Sequence, residues 1–242
     1  MSTWPTDLLI LIPVYNHGTT VGTVVRDCLA LDAPVLVVDD GSDDGSGAAA
    51  AEAGAELVSH ERNRGKAAAL LTGMQAAWTR GYRRVFSIDA DGQHPVEEVP
   101  RLVARSQAEP AAIVIGRRDM RVAPRINRIG RLFSNLSVWS TCGRWPGDSQ
   151  SGMRIYPLAG ILSLPLRSGG YAFEVEVLPR AVWNGTPVTW VDVSVRYPAD
   201  RITHFNKWRD NLQAIRSWAF LMCRRCWPGS QHPLPLPDTT GD

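Results

Sequence analysis

Two carboxylates two residues apart, Asp89 and Asp91, close an apolar run and are followed by Gly92 and Gln93. Carboxylates so spaced at a strand end can aim oxygen ligands at one hard divalent cation, which keeps several waters and takes further ligands from phosphate oxygens. Alone, such a pair is a weak motif, and without phosphate-binding partners nearby capping of the next turn is the better reading. Partners elsewhere in the chain shift the balance. Ile12-Pro13-Val14-Tyr15-Asn16 and Val37-Val38-Asp39-Asp40-Gly41-Ser42 supply an aromatic edge, backbone polar groups and a carboxylate suited to a base and a ribose. Arg62-Asn63-Arg64-Gly65-Lys66 opens a helical pattern, where unpaired N–H groups and the helix dipole favour an anion. Gly65-Lys66 lacks the first Gly and the closing Ser/Thr of a P-loop, and no G-x-G-x-x-G is present, which sets aside a P-loop ATPase and the usual dinucleotide site.

The elements that must carry these groups follow from periodicity. Strands are predicted at Leu8 to Pro13, Val35 to Val38, Ala55 to Ser59, Arg84 to Ile88 and Ala111 to Ile115. Between them run helical patterns from Val21 to Leu29, Gly45 to Ala53, Lys66 to Thr79 and Val96 to Ser106. Short, nearly all-apolar strands alternating with amphipathic helices indicate an α/β protein, a mostly parallel central sheet with helices on both faces. Ligands of such sheets bind beyond the carboxyl ends of the strands. The polar groups gather there, at Tyr15-Asn16, Asp39-Asp40, Asp89-Ala90-Asp91 and Gly116-Arg117-Arg118.

After residue 117 the pattern changes. Residues 117 to 131 hold six arginines and one acid, Asp119; the loop Gly147-Asp148-Ser149-Gln150-Ser151-Gly152, the segment Tyr171 to Glu176 and a strand-like run Val188 to Tyr197 follow. A helix is expected from Lys207 to Cys226, with Trp and Arg on its faces, and the Pro-rich residues 228–242 are expected to be disordered. The formal net charge of +2 conceals a division: residues 1–100 carry 7 basic and 14 acidic side chains, residues 101–242 carry 19 and 10. Of the 26 basic residues all but Lys66 and Lys207 are Arg, which favours planar contacts to phosphate or carboxylate. The near-neutral total argues against a nucleic-acid binder. No segment reaches the roughly 18 to 20 apolar residues of a membrane span, and the N-terminus has no signal-peptide pattern. A cytoplasmic protein is expected. Contact of the C-terminal helix with the inner face of the membrane and plain packing of that helix remain equal alternatives. Four scattered cysteines do not make a disulfide framework, and Cys223-x-x-Cys226 lacks partners for zinc.

Seven ordered motifs resemble those of family 2 glycosyltransferases of the GT-A fold: P-V-Y-N at 13–16, V-D-D-G-S-D-D-G-S at 38–46, N-R-G-K at 63–66, D-A-D-G-Q-H-P at 89–95, G-R-R at 116–118, D-S-Q-S-G-M-R at 148–154 and F-E-V-E at 173–176. The nearest likeness is to dolichol- or polyprenol-phosphate mannosyltransferase-like members, over roughly residues 8–210. The resemblance implies one domain over 1–227, with a nucleotide-sugar half (1–117) and an acceptor half (118–227). It implies that Asp89, Asp91 and Gln93 bind a magnesium or manganese ion bridging a nucleotide-sugar diphosphate. Pro13, Tyr15, Asn16, Asp39 or Asp40, Lys66 and Ala90 would line the donor site; Arg117 and Arg131 would reach phosphate oxygens; Arg201 and Lys207 match a closing loop. His17 stands where the mannosyltransferases usually have Glu.

An inverting single displacement is expected from the same resemblance. A lipid-phosphate acceptor is already anionic and needs no strong base, whereas a hydroxyl acceptor, as the wording around His204 to Asp210 suggests, requires one. Asp148 is then the first candidate, with Glu174 and Glu176 behind it. A nucleotidyltransferase would show a Gly-rich basic signature after the first strand, where Tyr15-Asn16-His17 stand. Intact Asp89 and Asp91 weigh against a non-catalytic binding module.

Overall fold

A computed structural model describes residues 4–119, 125–166, 172–196 and 215–223. Seven strands form one sheet in the order β3-β2-β1-β4-β6-β5-β7 among these residues. They are β1 (Leu8–Val14), β2 (Val35–Asp39), β3 (Glu56–Ser59), β4 (Arg84–Ser87), β5 (Ile113–Arg118), β6 (Arg154–Pro157) and β7 (Val188–Val193). The helices are α1 (Val21–Leu29), α2 (Ser46–Glu52), α3 (Lys66–Thr79), α4 (Val99–Ala108), α5 (Arg125–Cys142), α6 (Leu158–Leu162) and α7 (Ala172–Trp183), with a 3₁₀ turn at Val96–Glu98 before α4.

β1 is buried along its whole length because it lies mid-sheet and is covered on both sides. Its side chains alternate between two cores. Leu8, Ile10 and Ile12 join Val21, Val25, Leu102 and Val103 from α1 and α4, while Leu9 and Leu11 join Leu70 and Met74 of α3 and Phe173 and Val177 of α7. Both faces therefore carry helices, as the sequence indicates. Gly73 is required on α3, since a Cβ there would fall 2.2 Å from Leu11 Cδ1.

β1 is paired in parallel with β2 on one side and β4 on the other, so the strand order reverses at β1 and opens a crevice at its carboxyl end. β6 alone runs antiparallel, between β4 and β5. Its first residue, Arg154, is registered against Ser87 and Ile115. The loop before it is thereby delivered to the carboxyl ends of β4 and β5. One sheet thus draws strands from both sides of residue 118.

The predicted α3 is matched end to end, and most other predicted boundaries shift by one or two residues. β6, α5, α6 and α7 were not expected from periodicity. The expected Lys207 helix is described only at 215–223, where Trp218 Nε1 donates to Ser140 Oγ on α5 at 3.0 Å; the Pro-rich tail lies outside the described residues.

Candidate active site

The groups at the switch point are fixed by short-range turn chemistry. Asn16 has a positive φ of 53° and its side-chain oxygen accepts from Asp43 N–H at 3.1 Å. The N–H groups of Asn16, His17 and Gly18 donate to Ser42 Oγ, Ser46 Oγ and Asp44 Oδ2 at 3.0, 2.8 and 2.8 Å. Asp39 accepts from Ser42 N–H at 3.0 Å. Asp40 is buried and accepts from His60 Nδ1 at 2.6 Å, Arg64 N–H at 3.0 Å and Gly65 N–H at 2.7 Å. Expected beside the nucleoside, Asp40 is turned toward residues 60–65 instead. Pro13 is buried in β1, Tyr15 lies half-buried just beyond it, and buried Ala90 accepts from Thr20 Oγ1 at 2.7 Å through its carbonyl.

At the end of β4, Lys66 Nζ lies 2.8 Å from Asp89 Oδ1. Asp91 accepts from the Gln93 backbone N–H at 3.0 Å and from its Nε2 at 2.7 Å. Burial opposes ionisation of Asp89, but the Lys66 ammonium and the Arg118 guanidinium outweigh it and hold its carboxyl well below the usual range. Burial and the Asp89 charge push the Asp91 carboxyl up. Among the described residues no three or more His, Cys, Asp or Glu side chains could hold an ion by themselves. His94, next to Gln93, is kept neutral by burial, its pKa brought down to about 4, and its buried Nδ1 has no hydrogen-bond partner among the described residues.

The second half of the site arrives with the loop before β6. A Cβ on Gly152 would stand 2.0 Å from Asp89 Oδ2, so the carboxylate lies directly on glycine backbone, and Ser87 Oγ donates to the Gly152 carbonyl at 3.1 Å. Asp148 is buried and held by Arg118 through Nε–Oδ2 at 2.7 Å and Nη2–Oδ1 at 3.0 Å. Burial raises its carboxyl, yet Arg118 and then Arg131 dominate and hold it low. Arg131 is buried on α5. Next to it on that helix, Ser134 Oγ meets Ser149 Oγ at 2.8 Å, and Asn135 takes Ser149 N–H at 2.9 Å and gives to the Gly147 carbonyl at 3.2 Å. Arg154, fully buried, donates to the carbonyls of Ser151 and Ser149 at 2.9 and 2.6 Å.

Several expectations are corrected. Arg117 pairs with Asp192 on β7, Nη2–Oδ2 2.8 Å, and stacks on Trp190; neighbours on a strand face opposite ways, so Arg118 is the guanidinium turned to Asp148. Glu176 forms a buried pair with Arg180 at 2.6 Å and is removed as a base. The side chain of Glu174, and Arg201 and Lys207, lie outside the described residues. The sequence places Arg118 on the rim without a role of its own and does not single out Ser134 and Asn135, for which the spacing of Arg131, Ser134-Asn135 and Val138 along one helix face is the available signal.

The glycosyl transferase family 2 model matches residues 9–144. This chain belongs to glycosyltransferase family 2. The polyprenol monophosphomannose synthase of Mycolicibacterium smegmatis is 32% identical over 204 residues, covering 77% of this chain and 76% of that protein. The undecaprenyl-phosphate mannosyltransferase of Micrococcus luteus is 30% identical over 211 residues, covering 76% and 84%. Glucosyl-3-phosphoglycerate synthase from Mycobacterium tuberculosis, solved with Mn2+ and uridine-diphosphate-glucose, shares the GT-A fold at TM-score 0.68 and 23% identity, covering 96% of this chain and 87% of that one. The family 2 glycosyltransferase thus has the predicted fold, and its strand-end rim is where that fold places ligands.

Proposed function

We propose that this glycosyltransferase moves a sugar, with inversion, from a GDP- or UDP-linked donor to the phosphate of a polyprenyl phosphate. The observation that carries the acceptor class is the state of Asp148. A carboxylate pinned by Arg118 and held low is a poor proton acceptor, so Asp148 does not serve a hydroxyl as base, whereas a phosphate arrives already ionised. The mycobacterial and Micrococcus relatives, named for polyprenol and undecaprenyl phosphate, support this class. In the transfer an acceptor phosphate oxygen bonds to the anomeric carbon while the bond to the donor diphosphate breaks and its electron pair leaves with the nucleotide. No proton needs to move. Arg118 and Arg131 contribute the positive charge that draws an anionic acceptor to Asp148's loop.

Asp89, Asp91 and Gln93 fit a magnesium or manganese ion: all three offer oxygen, and a divalent cation would favour the ionised Asp91 carboxyl, which burial and the Asp89 charge push up. Bound there, the cation would neutralise charge on the donor diphosphate. Lys66, at the start of α3, would meet the same phosphates, and Pro13, Tyr15, Asn16, Asp39 and Ala90 would face the nucleoside, with Arg201 and Lys207 closing over it. The neighbour solved with Mn2+ and a nucleotide sugar supports the donor class.

Among the described residues no helix is long and apolar enough to cross a membrane. On α5, however, Ile129, Leu132, Phe133, Leu136 and Trp139 are 43% to 71% exposed on the side opposite Arg131, Asn135 and Val138. Such a stripe suits an interface with acyl chains and would bring the acceptor's headgroup to the loop at Asp148. The test offers GDP- and UDP-sugars with Mn2+ to polyprenyl phosphate and, separately, to the free polyprenol, with product anomers read by NMR. Transfer to the phosphate alone, with inversion and loss on chelation, is expected; transfer to the alcohol alone or retained configuration would sink the proposal.

A further inference from the structure

Behind the site, three elements are tied by a buried chain of side-chain hydrogen bonds. His60 follows β3, and its backbone N–H donates to the Asp39 carbonyl at 2.8 Å. Its ring is buried, with Nδ1 2.6 Å from Asp40 Oδ1 and Nε2 3.0 Å from Thr72 Oγ1 on α3. A carboxylate can only accept, so Nδ1 carries a proton, and Nε2 pairs with the Thr72 hydroxyl. Asp40 spends its remaining oxygen capacity on the N–H groups of Arg64 and Gly65. Those two residues lead directly into α3.

Gly65 stands at φ 92° and ψ 152°, a backbone conformation open essentially to glycine, and it has no side chain with which to cap the helix. Asp40, just past the end of β2, holds the two peptide N–H groups that lead into the helix. Lys66 is the next residue, the first of α3, and its ammonium reaches Asp89. The direction in which Lys66 leaves the loop is therefore set by the Gly65 peptide, and the Gly65 peptide by Asp40. We propose that His60 is a positioning residue: by bridging Thr72 to the Asp40 carboxylate that holds the Arg64 and Gly65 amides, it aims Lys66 at the Asp89 end of the site.

Among the described residues the His60 ring touches neither Lys66 nor any side chain assigned above to a ligand, so the ring acts through Asp40. The consequence rests on the donor-phosphate role proposed for Lys66. Without the ring, Asp40 loses its shortest partner and can rotate, Gly65 is released, and Lys66 no longer arrives pre-aimed. Binding of a nucleoside diphosphate then bears the cost of ordering it.

The experiment compares wild type, His60→Ala, His60→Asn, Lys66→Met and the His60→Ala/Lys66→Met double variant. Amide hydrogen exchange of the ligand-free protein is read at Arg64 and Gly65, and affinity for GDP and UDP with Mn2+ is read by calorimetry. His60→Ala is expected to speed exchange at Arg64 and Gly65 while β1 amides stay unchanged, and to weaken nucleotide binding about tenfold, the effect of one charge-assisted hydrogen bond. His60→Asn keeps an N–H for Asp40 and recovers most of both. In the Lys66→Met background the His60 change adds little further loss, because both act through one group. Unchanged exchange at Arg64 and Gly65, or full additivity with Lys66→Met, overturns the proposal. If wild type binds neither nucleotide, the donor assignment fails instead, and the exchange data alone then judge whether His60 orders the loop.

Discussion

Asp91 stands beside Asp89 with its carboxyl pushed up by burial and by that neighbour's charge, so its ionised form is less favoured than in a free carboxyl. Asp91→Asn removes that repulsion. Metal-dependent turnover is expected to fall by at least about a hundredfold while the thermal midpoint holds or rises, and a fall in both would show that Asp91 is a structural group. Gly152 makes the opposite kind of demand. Any side chain there drives Asp89 off its seat and away from Lys66, because the nearest Cβ position lies 2.0 Å from the carboxylate. Gly152→Ala is expected to cost about 1 to 3 kcal/mol in urea unfolding and most of the activity. Neither Gly152 nor the choice of Arg118 over Arg117 is legible in the sequence. Both depend on which way a side chain faces once β4, β5 and β6 are laid side by side.

α5 shows why an element can be missed although its residues are plain to read. Its polar side, with Arg131, Ser134 and Asn135, faces inward to the loop at 147–149, and its apolar side faces out. That inverts the usual pattern, in which the apolar stripe marks the buried face. α7 misleads differently: Phe173-Glu174-Val175-Glu176-Val177 alternates like a strand and is followed by Pro179, yet it is helical and packs Phe173, Val177 and Leu178 on the sheet. Tertiary packing overrides the local alternation. If the α5 stripe meets acyl chains, Ile129→Asp with Phe133→Asp should reduce binding to anionic vesicles about tenfold or more in flotation, leaving turnover of a short, water-soluble acceptor phosphate intact. Undiminished flotation would assign the stripe another role.

Across the whole molecule, pairs that span the acidic and the basic half, such as Arg101 with Glu98 and Arg196 with Glu97, lie on the surface. The central pairs lie within a half, Lys66 with Asp89 and Arg118 with Asp148. What joins the halves is the sheet. At the end of the sheet where β1 and β4 begin, buried Arg84 donates to Asp7 at 2.9 and 2.7 Å and to Ser106 Oγ on α4 at 2.7 Å. The Arg84 hydrogen bonds, against some burial, hold the Asp7 carboxyl below its ordinary value of 3.8. A carboxyl lowered on folding contributes stability that is present above its unfolded pKa and is lost as pH falls through the folded one. Asp7 is partly exposed, so the contribution is modest. Asp7→Asn should therefore flatten the fall of the thermal midpoint below a pH of about 4, and an identical acid limb in wild type and variant would count against the pair.

The sequence by itself determined what local rules control. Apolar runs of strand length alternating with amphipathic helices specify a covered, mostly parallel sheet, and the same runs put Asn16, Asp39, Asp89 and Arg118 at strand ends, where that architecture opens a crevice. Only the tertiary structure decided the rest. Arg154-Ile155-Tyr156-Pro157 carries no strand alternation, yet it enters antiparallel between β4 and β5 because backbone pairing there is open to it. That single reversal lays Gly152 on Asp89 and seats Asp148 against Arg118. Contacts of this kind join residues more than sixty positions apart in one case and thirty in the other, as Ser87 with Gly152 and Arg118 with Asp148 show. Periodicity sees only neighbours a few residues away, so no local pattern could contain them.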